Sequence, residues 1–209
     1  MAYLHPNHFT PDKNVVNKYF PSDETFFILR FAKLTAHHDM GIKGITNEIA
    51  TQIIRILEPY GKIYITSERE LQPEFEKFRI QIRALDMHHI LAFASIFIGD
   101  SQTMAAEAGV LGTPFVRFND FVGRLSYLNE MEQVYQLGYG HKTNDVSGML
   151  NSIKTLVENK DRKMITKEKR QKMLFEKIDF AKFQLWFIEN YPDSAKIMKE
   201  NPDYQYNFK

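Results

Sequence analysis

Between Ile96 and Pro114 the chain reads Ile-Phe-Ile-Gly-Asp-Ser-Gln-Thr-Met-Ala-Ala-Glu-Ala-Gly-Val-Leu-Gly-Thr-Pro, and its residue types change abruptly twice. An apolar, β-branched run stops at Gly99-Asp100-Ser101, and a helix of small residues begins at once. Gly112-Thr113-Pro114 ends that helix and opens a second apolar run, Phe115-Val116. The spacing predicts strand, tight turn, helix, strand. The helix starts with Ser101, Gln102 and Thr103, where backbone N–H groups lack an intrahelical acceptor and the macrodipole is positive. Such a terminus is a ready site for a phosphate, here a diphosphate on the amides of 102 and 103 with the Ser101 and Thr103 hydroxyls as further donors. The plainer reading is that Asp100 or Ser101 only caps an ordinary helix. Asp100 itself is expected to turn toward backbone N–H groups, because like charges repel at close range.

Other residues have chemistry that fits the same ligand. Glu107 lies four positions after Thr103, one turn along the same face, where a carboxylate could accept both hydroxyls of a ribose. Its plainer fate is a partly exposed helix glutamate. Arg30, near the end of the apolar stretch Thr25–Phe31, could pair with phosphate in a bidentate way or snorkel to solvent. Leu85-Asp86-Met87 could border a nucleobase with backbone polar groups and an apolar wall. His37 and His38 sit in a Gly-containing loop beyond the first strand, where catalytic groups of α/β sheets gather, and are the candidate catalytic residues. Only Asp39 stands beside them, which does not complete a zinc ligand set, so no metal is expected. His88 and His89 read as surface or capping residues.

The elements that must position these groups alternate. Strands are expected at 25–31, 62–66, 79–83, 95–98 and from Phe115. Helices are expected after Thr46, from the cap Asp86 to Ala94, over Leu125–Tyr135 and over 146–160, with a turn at Tyr139-Gly140. The alternation implies an α/β, Rossmann-like parallel sheet with helices on both faces. Residues 1–24 read as an irregular N-terminal segment, 25–160 as the domain proper and 161–209 as a helical C-terminal extension. In that extension 160–172 reads as a solvated basic face, and a helix over 166–191 carries an aromatic stripe; neither implies a cofactor.

Bulk properties exclude other classes. Lys+Arg 27 against Asp+Glu 26 gives a formal charge of +1, no electrostatic case for nucleic acid. The 209 residues contain no cysteine, which removes disulfide and thiolate chemistry. No apolar run approaches the ~20 residues of a membrane span. The N-terminus lacks the basic and apolar regions of a signal peptide, so a cytoplasmic location is expected.

The stretch Gly99–Pro114 resembles the C-terminal-domain signature of UDP-N-acetylglucosamine 2-epimerases and related GT-B-fold glycosyltransferases, Asp-Ser-Gly-Gly, three residues, Glu-Ala, then Leu-Gly-x-Pro. A closer resemblance is to a bacterial and archaeal family of unknown function built on the same two-domain plan. It runs from Tyr3-Leu-His-Pro through Phe118-Asn-Asp-Phe-Val122 and includes Arg30, the His37-His38 loop and Asp86-Met87. The resemblance implies the donor-binding half of a GT-B protein that takes a nucleotide-diphosphate sugar, a UDP-sugar. Ser101 with the amides of Gln102 and Thr103 would hold the diphosphate, Glu107 the ribose, Asp86 and Met87 the base edge, and Arg30 the phosphates. It also implies a second, N-terminal Rossmann-like half preceding Tyr3, without which the chain is expected to be inactive. One departure stands out: the epimerases' Gly-Gly is Gln102-Thr103 here, placing side chains where backbone approaches phosphate. Two other readings stay open, a non-catalytic nucleotide-sugar or partner-docking module and a hydrolase using His37 or His38 as general base.

Overall fold

A computed structural model describes residues 2–21, 23–33 and 43–209. Its five strands, β1 (Phe26–Phe31), β2 (Lys62–Ser67), β3 (Ile96–Gly99), β4 (Phe115–Phe118) and β5 (Gly138–His141), form one parallel sheet in the order β2-β1-β3-β4-β5. The fold class is thus the Rossmann-like α/β sheet expected. Apolar runs without alternation make the inner strands, because a parallel sheet is covered on both faces. All four residues of β3 and all four of β4 are buried.

Helices cover both faces. After a short α1 (Lys13–Val16), helix α2 (Asn47–Leu57) starts at the Thr46 cap and buries Ala50, Ile53, Ile54 and Leu57. It packs on one face with α6 (Val146–Glu158), against Phe27, Leu29, Ile63, Ile98 and Val116. The other face carries α3 (Met87–Phe93), α4 (Gln102–Val110) and α5 (Ser126–Gln133) over Phe26, Ile28, Phe97 and Phe115. Helix α4 is amphipathic in size rather than polarity: Ala105, Ala106, Ala108 and Gly109 let it lie close to the sheet. It stops at Gly112, whose φ of 81° is a left-handed C-terminal cap, with Thr113 N–H donating to the Ala108 carbonyl at 2.8 Å.

Several expectations are corrected. Residues 79–83 are not a strand: Ile80 N–H bonds the Ile65 carbonyl and Arg79 bridges Ile65 once, after which the chain leaves the sheet. Tyr139-Gly140 is not a turn but part of β5, the sheet's far edge. The helix over 166–191 is two helices, α7 (Arg162–Glu176) and α8 (Phe180–Glu189), separated where Asp179 caps α8 by accepting from Lys182 N–H; α9 (Asp193–Glu200) follows. Asp86 makes no side-chain cap on α3.

The basic stretch is not merely a solvated face. Lys163 donates to the Ala92 carbonyl at 2.9 Å, in the last turn of α3, and Arg170 to the carbonyl of Val110, the last residue of α4. Cations thus meet the negative ends of both helices that bound the site. Burial lowers the Lys163 ammonium well below the usual lysine range. The aromatic stripe is only partly core, since Phe175 is 82% exposed while Phe183 and Trp186 pack against Phe208.

Candidate functional site

The order of the strands reverses between β1 and β3, and in open α/β sheets the crevice at that reversal, beyond the carboxyl ends of the strands, is where ligands bind. Helix α4 begins there. Ser101 Oγ accepts from Met104 N–H at 3.4 Å, so Ser101 is its N-cap. The backbone N–H groups of Gln102 and Thr103 have no acceptor among the described residues, and Thr103 is exposed. Asp100 is directed inward as expected. It is 1% exposed, and its carboxylate accepts from Ala32 N–H at 2.6 Å and Ile45 N–H at 3.3 Å, tying the exit of β1 to the entry of α2. Burial raises its pKa to about 6, against the pull of those donors and of Arg69.

A row of residues crosses the sheet just before the turn. Arg30 of β1 pairs with Gly99 of β3, and Gly99 with Arg117 of β4, so two arginines flank one glycine on a single face. A Cβ at Gly99 would meet the Cβ of Arg30 at 2.9 Å and its carbonyl oxygen at 2.8 Å, which makes glycine the residue that admits Arg30. Arg30 is ion-paired to Glu68, yet its Nε is buried with no acceptor among the described residues. Arg117 is fully buried. Glu132 of α5 grips its Nε and Nη2, the latter at 3.0 Å, and its Nη1 donates to Gln102 Oε1 at 2.6 Å. That contact fixes the Gln102 amide and leaves its Nε2, also buried, without an acceptor among the described residues. Arg117 escaped the sequence reading; a lone arginine inside Phe115-Val116-Arg117-Phe118 is the signal that could have found it.

Glu107 lies further along α4, and only 13% of its side chain is exposed. One oxygen is 3.3 Å from His88 Nε2, and the other has no donor among the described residues. The Tyr3 hydroxyl bonds the same histidine at 2.9 Å, and burial together with the nearby Glu107 charge raises the Tyr3 pKa. His88 is therefore more than a surface residue: it joins Glu107 to the start of α3. Asp86 and Met87 stand immediately before it. The buried Asp86 carboxylate accepts from Tyr19 OH at 2.7 Å, which leaves Leu85, 78% exposed, at the tip of its turn. The structure thus brings Arg30 beside the Gly99–Ser101 turn and Glu107 beside Asp86-Met87-His88, with α4 linking the two groups. His37 and His38 lie outside the described residues. A separate cavity of about 610 Å³, bordered by Val110, Met131, Tyr135, Met173 and Phe180, sits at the opposite end of α4, and none of Ser101, Gln102 and Thr103 lines it.

A five-stranded parallel sheet covered on both faces, with a helical C-terminal region, is the fold of one half of a GT-B protein. The chain belongs to the family described as "Protein of unknown function (DUF354)", whose profile matches residues 7–182. A search of the curated proteins gave no match. Among solved structures the chain is similar to CalG4, the calicheamicin glycosyltransferase, at 13% identity and a TM-score of 0.53, covering 84% of this chain and 46% of that one. It is also similar to the glycosyltransferase VinC in complex with dTDP, at 9% identity and a TM-score of 0.51, covering 78% and 40%. A third is Os79 from O. sativa in complex with UDP and deoxynivalenol-3-glucoside, at 12% identity and a TM-score of 0.50, covering 82% and 42%. The chain therefore spans less than half the length of each of these proteins. No helix among the described residues is long and apolar enough to cross a membrane.

Proposed function

We propose that this chain is the donor-binding half of a GT-B glycosyltransferase-like or epimerase-like protein, with a nucleoside-diphosphate sugar, a UDP-sugar, seated on the start of α4. One observation supports this most: N–H donors without an acceptor among the described residues cluster at the reversal of strand order. They are the backbone amides of Gln102 and Thr103 and the side-chain Arg30 Nε and Gln102 Nε2. Orphaned donors at a helix N-terminus call for one chemistry, an anionic oxygen ligand. In this reading the diphosphate takes the α4 amides and the Ser101 hydroxyl, and Arg30 adds positive charge as the glycosidic C–O bond breaks and the nucleoside diphosphate leaves. Glu107, held by His88, accepts from the ribose, while the turn at Leu85–Met87 borders the base. The exposed Thr103 side chain leaves the cradle open, and Arg117 holds the Gln102 amide by its oxygen, with Nε2 left as a donor.

Residues 25–160 are the nucleotide-sugar domain in this proposal, and catalysis requires a second Rossmann-like half to close the cleft. The exposed apolar residues of α8 and its end, Phe180, Leu185, Ile188 and Tyr191, are the surface that half would cover. The chain alone is expected to bind UDP weakly and to turn nothing over.

Calorimetry with UDP and UDP-N-acetylglucosamine tests the binding. Glu107→Ala should weaken it by about 10–100-fold, the value of a hydrogen bond to a charged group. Thr103→Glu adds a negative charge that the helix terminus favours by about 0.3–1 kcal/mol. That variant should fold as well as the wild type and yet bind at least about 10-fold more weakly, since the carboxylate repels the diphosphate. Undetectable heats for the wild type, or equal affinities in all three proteins, would defeat the proposal.

A further inference from the structure

The turn at the start of the chain and the beginning of α8 meet away from the first turn of α4, beside the cavity at its other end, and their contact is chemically richer than helix capping requires. Asp179 is the N-cap of α8, and its carboxylate is only 2% exposed. Lys182 N–H donates to it at 3.1 Å, which is all a cap needs. Three more groups converge on the same carboxylate. Asn7 Nδ2 donates at 3.1 Å, His8 Nε2 lies 2.8 Å from Oδ2 and 2.9 Å from Oδ1, and His5 Nδ1 lies 3.5 Å from Oδ2.

The local backbone explains why both imidazoles reach one carboxylate. The N–H groups of His8 and Phe9 both donate to the His5 carbonyl, at 2.9 and 3.0 Å, and this folds His5-Pro6-Asn7-His8 into a tight turn with both rings on one side. One ligand atom from each of His5, His8 and Asp179 lies within 4.8 Å of the others. A tetrahedral zinc with bonds of about 2.0–2.2 Å holds its ligands about 3.3 Å apart, and the 2.8 and 3.5 Å separations to Asp179 Oδ2 bracket that spacing. The supporting groups fit as well. Asn7 N–H donates to His5 Nδ1 at 3.3 Å, so Nδ1 carries a lone pair, which the metal takes over from that N–H, and Asn7 Nδ2 and Lys182 N–H orient the carboxylate. His8 is 36% exposed, which leaves an entry path and an open position for water.

We propose that His5 Nδ1, His8 Nε2 and a carboxylate oxygen of Asp179 form a transition-metal site, suited to zinc by its imidazole and carboxylate ligands. The metal takes the place of the proton that lies between His8 Nε2 and Asp179, and the neutral imidazole then carries its one proton on Nδ1. It staples the N-terminal turn to the start of α8, independently of any ligand at α4.

The test uses the full chain without an affinity tag, stripped with a chelator and dialysed against Zn²⁺ or titrated with Co²⁺. The wild type should bind one equivalent at this site, give the visible bands of tetrahedral Co²⁺, and unfold at higher temperature with zinc than without it. His8→Ala and His5→Ala should each lose that equivalent, with affinity reduced more than about 100-fold, because even residues that only orient a ligand cost 10–100-fold. His88→Ala and His141→Ala should retain it. Asp179→Asn also disturbs the α8 cap, so the histidine variants decide the outcome. A wild type that takes up no zinc, or zinc binding unchanged in both His5→Ala and His8→Ala, would overturn the proposal.

Discussion

Replacing Glu132 by alanine is expected to remove about 3–5 kcal/mol of folding stability, because it leaves a buried guanidinium without its counter-charge. Arg117 is 0% exposed on β4, and Glu132 supplies both oxygens to it. The remaining acceptor, Gln102 Oε1, is neutral. For a chain of this length the loss corresponds to a fall of roughly 6–20 °C in Tm. The double replacement Arg117→Met with Glu132→Leu removes both charges at similar volume and should restore most of the stability. It also frees Gln102 and so should loosen the start of α4. Denaturant unfolding of the three proteins measures this. A Glu132→Ala variant within about 1 kcal/mol of the wild type would show that the pair does not hold β4 to α5.

The second large effect depends on pH. Asp100 titrates at about 6 in the fold, because burial penalises its ionised form. In the unfolded chain it titrates near 3.9. Between those values the folded state keeps a proton that the unfolded state has lost, so stability falls as pH rises through this window. The contribution is fully present below about pH 4 and lost above about pH 6, where the ionised carboxylate costs about 3 kcal/mol at 1.36 kcal/mol per unit. Asp100→Asn removes this titration. The stability difference between wild type and variant, followed by urea unfolding from pH 4 to pH 7, should change by about 3 kcal/mol in favour of the variant. A difference that stays constant across that range would contradict the assignment.

How much of this was legible in the sequence depends on what each element uses to hold itself in place. Strands β1 and β3 and the helices α2 and α4 announce themselves, because apolar runs, the Thr46 and Ser101 caps and the Gly112 stop are local signals. Strand β5 does not. Its Gly-Tyr-Gly-His sequence has no apolar run, and it joins the sheet through backbone pairing of Gly138 with Phe115 and Gly140 with Arg117. Residues 79–83 fail in the opposite sense. Ile80 and Ile82 alternate like a strand, but both pack against the core from irregular backbone. In the site, the inward turn of Asp100 and the Ser101 cap followed from charge and position alone. The grip of Arg117 on Gln102, the His88 contact to Glu107 and the meeting of His5 and His8 with Asp179 did not, because they join elements distant in the chain. Tertiary packing chooses such partners, and no local spacing encodes them.

The central claim is that the first turn of α4 receives the diphosphate. Amide chemical shifts of the ¹⁵N-labelled chain, recorded during addition of UDP, test it most directly. The Gln102 and Thr103 amides should move furthest and saturate together, with the Arg30 side-chain Nε–H following. Saturable shifts confined to other parts of the chain, with these amides unmoved, would contradict the account.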